Sequence, residues 1–533
     1  MRSTPARRSG HPGRPGLTGL AGLVSAGLAL AVTEIVAAFG GAGAPSVVSA
    51  VGNRMVDALA ASLKDLAVAL FGTGDKVALL VGIVVVALGF GALAGWVEHR
   101  RRWTGAAVIA AFAVVGLWAV STDAQAAALP VAACLIGAAA GIATLRMLVG
   151  GFLAPGAAER RPGAGADAAA PAADPRVRTP SRRAFLTAAG SVGAGAAVLA
   201  VGSRRLRALG SAGGTESATQ ALPAPARTVP VPPAEPTPAG LSPYLTPTAD
   251  FYRIDTALLV PRVDARTWSL SITGLVDRPL RLTYDDLLAA ELVEVPVTIS
   301  CVSNEIGGDL VGTAQWRGIP LGSLLERAGV RPEAEQVFAR SVDGFTAGFP
   351  VGAVRDGRTA LLAVGMNGEP LPTRHGFPAR LVVAGLYGYV SAVKWLAEIR
   401  LTPWDGVDGY WMPRGWSKEG PVKTQSRIDV PRAGSVVAPG PAAIAGVAWA
   451  PTRGIRAVEV SIDGGAWQAA RVLPVASDET WAQWVFDGWT ADPGRHRITV
   501  RATDGTGIVQ DATIRRPDPD GATGHHTVSV TVR

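Results

Sequence analysis

Ile299-Ser300-Cys301-Val302-Ser303-Asn304 is the stretch on which the reading of this chain turns. Val295 to Ser300 reads as a strand, so Cys301 stands where that strand ends. The chain has 2 cysteines, and the other, Cys134, lies inside a long apolar run. A disulfide within the polar half is therefore excluded, and there is no C-x-x-C zinc or C-x-x-C-H haem-attachment spacing. A lone cysteine at a strand end serves as a small buried hydrophobe, an acyl-transfer nucleophile or a metal ligand. A nucleophile would need a nearby base, for which His375 is the candidate.

Working outward, Trp268-Ser269-Leu270-Ser271-Ile272 alternates as a strand does, and Gly274 ends it. Thr283-Tyr284-Asp285-Asp286-Leu287-Leu288 reads as a helix start with Thr283 as N-cap and an acidic first turn. Leu321 to Ala328 predicts a helix and Arg380 to Ala384 a buried strand. Strands and helices mix without a βαβ repeat, so the class expected for 241–424 is α+β. From 425 to 533 short strands recur between turns. Val458 to Ile462 runs into Asp463-Gly464, and further strands are expected at Arg497–Ala502 and Thr527–Val532. The expectation there is an immunoglobulin-like β-sandwich. Trp449, Trp467, Trp481 and Trp484 are expected as core fillers.

The first 202 residues differ in kind. The chain has 533 residues, 48% of them hydrophobic, and a formal net charge of +8; mean hydropathy is +0.28. Apolar stretches fall at 17–39, 77–97, 104–121, 128–150 and 184–202, each close to the ~20 residues that span a bilayer as a helix. The segment 46–71 is interrupted by Arg54, Asp57, Lys64 and Asp65 and reads as an amphipathic surface helix. Arginine clusters at residues 2–14, 99–102 and 160–183 lie on one side of a five-span arrangement, the cytoplasmic one. Everything after residue 202 is then extracytoplasmic, although Arg204, Arg205 and Arg207 oppose the charge rule. Glu34 is the one plausible ionisable group within a span, so anchoring rather than transport is expected. His99 is the only histidine near a span, which argues against membrane haem. No basic stripe interleaved with aromatics appears, so nucleic-acid binding is not expected. Ser181-Arg182-Arg183-Ala184-Phe185-Leu186 resembles a twin-arginine export signal. Residues 211–240 read as an extended linker. The domain division expected is 1–150 transmembrane, 151–240 linker with a fifth span, 241–424 redox domain and 425–533 β-sandwich.

Six segments occur in order: Phe251-Tyr252-Arg253, Cys301-Val302-Ser303-Asn304, Trp316-Arg317-Gly318-Ile319-Pro320-Leu321, Met366-Asn367-Gly368-Glu369-Pro370-Leu371, His375-Gly376-Phe377-Pro378-Ala379-Arg380 and Lys394-Trp395-Leu396. Together they resemble the sulfite oxidase family of molybdenum enzymes over about 245–425. The resemblance implies a molybdenum–molybdopterin cofactor (Moco) with Cys301 as its one protein ligand, a soft thiolate suited to the metal. It further implies that His375, Arg380 and Lys394 bind the cofactor, helped by Tyr252, Arg253 and Asp343, and that the β-sandwich is a homodimerisation domain. Arg253 matches one of the arginines that hold sulfite.

Two departures bear on the substrate. Glu305 and Ile306 stand where the family has two arginines after the asparagine, and Trp416 falls in register with a tyrosine beside the metal. Arg414 is a candidate to restore positive charge. The functional expectation is a membrane-anchored, extracytoplasmic oxidoreductase that transfers an oxygen atom on a small oxyanion or oxide and exchanges electrons with a separate carrier. A reductase of S- or N-oxides on the same cofactor is the alternative. A non-catalytic, membrane-tethered surface protein is the alternative of another class. No strand–GxGxxG–helix unit appears, so hydride-transfer cofactors are not expected.

Overall fold

A computed structural model describes residues 15–40, 46–58, 75–123, 128–153, 182–214 and 221–533. Residues before 15, Lys64, Asp65, Arg160, Arg161, Arg176, Arg178 and Ser181, which figure in the topology reading, lie outside these. The chain divides into two units, Met1–Gly213 and Gly214–Arg533.

The first unit is helical: α1 (Pro15–Ala38), α2 (Val47–Ala58), α3 (Asp75–Arg100), α4 (Thr104–Ser121), α5 (Ala128–Arg146) and α6 (Arg182–Gly214). Five described helices are long and apolar enough to cross a membrane, over Gly16–Ala38, Lys76–Arg100, Thr104–Ser121, Ala128–Gly151 and Arg182–Leu206. Small residues let α1 and α3 meet closely. A Cβ on Gly95 would lie 2.9 Å from the Gly22 Cα, so the backbones touch there, as they do in small-residue packing of membrane helices. Glu34 accepts a hydrogen bond from the Ser46 hydroxyl at 2.7 Å, beside the start of α2. A second carboxylate in this unit, Glu98, is buried and accepts from the Gly105 and Ala106 amides at the start of α4. Both acids thus satisfy helix N-termini, a structural use of charge in an apolar setting. α2 tucks Val47 and Ala50 against Ala119, Val120 and Cys134.

The second unit holds three sheets. The first orders β1 (Arg227–Thr228), β4 (Val293–Ser300), β5 (Val311–Pro320), β8 (Ala360–Met366) and β10 (Arg380–Val383), with β9 (Glu369–Pro370) against β8. Every residue of β4 is buried, as a central strand covered on both faces requires. The second orders β3 (Leu280–Thr283), β2 (Ser269–Gly274), β11 (Leu396–Thr402), β6 (Gln336–Ser341) and β7 (Thr346–Pro350). Three short helices, α7 (Tyr284–Leu288), α8 (Leu321–Ala328) and α9 (Gly388–Ser391), complete this α+β part. Thr283 caps α7 as its sequence proposes: its hydroxyl accepts from the Asp286 amide, and the Asp286 carboxylate accepts from the Thr283 amide at 2.8 Å.

The Pro/Ala-rich stretch expected to be a linker behaves differently where it is described. α6 runs on to Gly214, and β1 pairs in parallel with β4. Ala226 and Val229 donate to the carbonyls of Leu292 and Glu294 at 2.8 Å. The free edge of β4 offers unpaired backbone groups, and an extended, proline-rich strand is suited to cover it.

The third sheet has eight strands, in the order β12 (Gln425–Val430), β14 (Gly440–Trp449), β17 (Ala482–Ala491), β16 (Gln468–Val472), β15 (Ile455–Ile462), β18 (Gly494–Asp504), β19 (Thr527–Val532) and β13 (Val436–Val437). β16 pairs with both β15 and β17, so the sheet folds over and buries Ile444, Trp484 and Phe486 with Val460, Ile498 and Val530. Asp463 and Gly464 both have positive φ, as the Asp-Gly turn requires. Trp449, Trp481 and Trp484 are buried, but Trp467 is not a core filler: half-buried, it meets the His525 ring edge-on and carries the Arg501 guanidinium 4.3 Å from its centroid. It sits in the turn between β15 and β16, one residue before β16, where its ring packs on Arg501 and His525 instead of entering the core.

Residues 505–526, between β18 and β19, run back to the α+β part. Ser417 donates its amide to the Pro519 carbonyl at 3.0 Å, Lys423 pairs with Asp520 at 2.8 Å, and the His526 ring lies against Gly307.

Candidate active site

Cys301 closes β4. Its amide donates to the Leu310 carbonyl at 2.9 Å, the Asn304 amide donates back to the Cys301 carbonyl at 3.1 Å, and the Asn304 side-chain oxygen accepts from the Leu310 amide at 2.8 Å. The 301–310 loop is thereby pinned at both ends around a buried free thiol. Burial pushes that thiol up, while hydrogen bonds from the Ser303 amide and hydroxyl, and the Lys394 charge, hold it down.

Three buried basic groups gather nearby. His375, in the turn before β10, is fully buried, and its Nε2 lies 3.2 Å from the Thr248 carbonyl. Burial, then Arg380 and Arg374, pull it down to about 4. Arg380 opens β10 and is buried. It donates to the His375 carbonyl at 3.2 Å and the Leu381 carbonyl at 3.4 Å, stacks 5.0 Å above Trp316, and is drawn down to about 10 by burial. No carboxylate pairs with it among the described residues. Lys394 donates to the Ile254 carbonyl at 3.1 Å and to Asp255 at 3.0 Å, and burial brings it down to about 8 despite that partner. Gly376 makes the close approach feasible: it has φ +112, and a Cβ there would stand 3.1 Å from both the Arg380 and Lys394 Cβ atoms.

Tyr252 stacks on Phe251 and lies within electrostatic reach of Cys301 and Arg380; burial raises its phenol strongly. Arg253 pairs with Asp255 at 3.0 Å. Burial also raises the Asp343 carboxyl, which accepts from the Phe345 amide at 3.3 Å and feels both Asp255 and Lys394. The structure therefore brings together Cys301, Tyr252, Arg253, Asp343, His375, Arg380 and Lys394. Trp416 belongs to an adjoining row of rings, Tyr389–Trp416–Trp411–Tyr410–Phe345, with neighbouring centroids 5.8, 5.9, 5.2 and 5.8 Å apart. Arg414 lies over Tyr410 at 3.7 Å and donates to the Tyr410 carbonyl.

Asp255, Ser303 and Tyr387 are members that sequence reasoning did not single out. Tyr387 feels the Cys301 charge and is pushed up to about 12, chiefly by burial. Arg253-x-Asp255 is visible in the sequence, but the partner it shares, Lys394, is 139 residues away. The arrangement offers one soft sulfur beside a buried cationic shelf, a donor set for a metal carried by an anionic group.

Residues 257–411 match the family model described as the oxidoreductase molybdopterin binding domain. Sulfite oxidase of Gallus gallus is 32% identical over 320 residues, 50% of this chain and 68% of that protein. The chain belongs to the sulfite oxidase family. It is a molybdopterin-dependent oxidoreductase, and the non-catalytic alternative is set aside. The mitochondrial sulfite oxidase of Homo sapiens, another relative, is 32% identical over 284 residues, but the match spans only 51% of that protein and 45% of this chain. An oxidoreductase of Bacillus subtilis is 36% identical over 157 residues, 76% of its length and 30% of this chain. Among solved structures, the sulfane dehydrogenase SoxCD of Paracoccus pantotrophus is 27% identical, with 54% of this chain and 81% of that chain covered and a TM-score of 0.47. The molybdenum–molybdopterin cofactor of the sulfite oxidase family is therefore this chain's cofactor.

Proposed function

We propose that the chain is a membrane-anchored oxidoreductase whose Gly214–Arg533 unit works on the extracytoplasmic side of the cell membrane. It moves an oxygen atom to or from a small oxyanion or oxide and exchanges two electrons with a separate carrier. When bound, the cofactor supplies two-electron oxygen-atom exchange. Cys301 is its single protein ligand. His375, Arg380 and Lys394 hold its anionic tail, while Tyr252, Arg253 and Asp343 meet the polar pterin edges. Arg253 and Trp416 stand at the substrate side. The observation that carries the reading is Arg380: a buried guanidinium whose described partners are carbonyls awaits an anion, and it shares its surroundings with the only cysteine of its unit.

Helices over 1–150 anchor the chain, Arg182 and Arg183 open a twin-arginine-like segment, and 425–533 forms an immunoglobulin-like sandwich through which two copies pair. The apolar helices and the doubled-over sheet support this division. Reduction of an S- or N-oxide on the same cofactor is a second reading. It is favoured by Glu305, which is exposed on the ligand loop, and by Ile306, whose side chain faces Gly524 instead of presenting positive charge.

Metal analysis tests the assignment. Full-length protein purified in detergent should carry about one molybdenum per chain, and Cys301→Ala should carry less than about a tenth of that. Equal metal in both would refute Cys301 as the ligand.

A further inference from the structure

The charge balance around the candidate site is unusual for one that holds a dianion. Asp255 is the reason. Its carboxylate is buried, with 4% of the side chain exposed, and one oxygen, Oδ2, takes both the Arg253 Nε and the Lys394 Nζ at 3.0 Å. These are two of the cations gathered near Cys301; Arg380 lies deepest, and Arg374 meets the His375 ring at 3.2 Å. His375 is uncharged at neutral pH, since it is pulled down to about 4. Glu305 adds a negative charge on the ligand loop. Arg253 at the substrate side and Lys394 at the cofactor tail thus share one carboxylate, so neither offers an incoming dianion its full charge. A dianion entering such a place loses its hydration and gains little in return. An uncharged molecule loses far less.

The aromatic row fits the same conclusion. One end, Phe345, is tied to Asp343 by its amide. The other end, Tyr389, lies on α9, whose first residue, Gly388, approaches the Ser300 carbonyl just before the ligand. Rings in contact along that line offer dispersion surface to organic substituents.

We propose that Asp255 is a specificity-determining residue: by neutralising Arg253 and Lys394 it turns the site from dianions toward uncharged organic S-oxides. This rests on the molybdenum oxygen-atom-transfer reading above. In the reduction, the S–O bond of a sulfoxide breaks, two electrons enter from the external carrier with two protons, and a thioether and one water leave.

The test compares full-length, detergent-purified wild type with Asp255→Asn and Asp255→Glu. Sulfate binding is measured by calorimetry at pH 7 and low ionic strength, and dialkyl sulfoxide reduction is measured with reduced viologen as donor. Asp255→Asn should bind sulfate at least about tenfold more tightly, because it frees one positive charge in a poorly screened site, whereas Asp255→Glu should bind it as wild type does. Wild type should reduce the sulfoxide, and sulfate should inhibit Asp255→Asn far more than wild type. Unchanged sulfate affinity in a molybdenum-replete Asp255→Asn protein overturns the proposal. So does loss of molybdenum from that variant, which would make Asp255 a cofactor-retaining group. Molybdenum-replete wild type that oxidises sulfite with ferricyanide yet reduces no sulfoxide overturns it without any variant. Metal-free wild type would sink the underlying enzyme reading instead, and the sulfate comparison would still judge the role of Asp255.

Discussion

His375 is an imidazole held neutral by its surroundings. Burial and the neighbouring guanidinium groups of Arg380 and Arg374 bring it down to about 4, against ~6.5 for an unperturbed histidine. Between those values the unfolded chain binds a proton that the native chain refuses. Its contribution to stability is therefore fully present above pH ~6.5 and is lost as pH falls from there toward about 4. Thermal unfolding of the full chain between pH 7 and 4.5 should show a falling midpoint, and His375→Gln should flatten that slope. An identical slope in the variant would mean that other groups carry the dependence. Asp255 shows what single residues conceal. Its sequence neighbourhood announces an ion pair with Arg253, but the second partner arrives from β11's approach, and no local pattern encodes it.

Among the elements, those with self-contained signals were legible. Strand alternation located β2 and β19, the burial-ready run located β4, and Leu321 to Ala328 is a helix as its apolar spacing requires. The capping box at Thr283 is the clearest case. Thr283→Ala removes the acceptor for the Asp286 amide and should cost about 1 kcal/mol, read as a drop of about 2–4 °C in the unfolding midpoint of its unit. A shift below half a degree would show that the cap adds nothing. Elements set by a distant partner were not legible. β1 hides in a stretch rich in proline and alanine because its pairing with β4 is the only reason it is a strand. α6 outruns its apolar segment to Gly214 because alanine and arginine continue a helix beyond the point where hydropathy fails.

At the scale of the molecule, the sequence revealed five apolar segments, a lone cysteine at a strand end with its ordered motifs and a strand-rich end, since each rests on composition or local order. Which side chains converge on Cys301 required the fold. Export belongs to this scale as well. Arg182 and Arg183 are exposed at the start of α6. Changing both to lysine keeps the charge and removes the guanidinium pair that a twin-arginine receptor reads. The Gly214–Arg533 unit should then stay cytoplasmic, as tested by protease protection in spheroplasts. Unaltered export would refute the signal.

The route of residues 505–526 bears on how the second unit comes apart. The strand that carries Cys301 exchanges hydrogen bonds with residues nearly two hundred positions later: the Thr298 amide donates to the Glu479 carbonyl, and the Trp481 amide to the Thr298 hydroxyl. His526 backs the 301–310 loop at Gly307. The wall behind Cys301 is therefore built from residues far along the chain, and loosening the third sheet should loosen the 301–310 loop with it. The α+β part and the third sheet are expected to unfold together, in a single thermal transition.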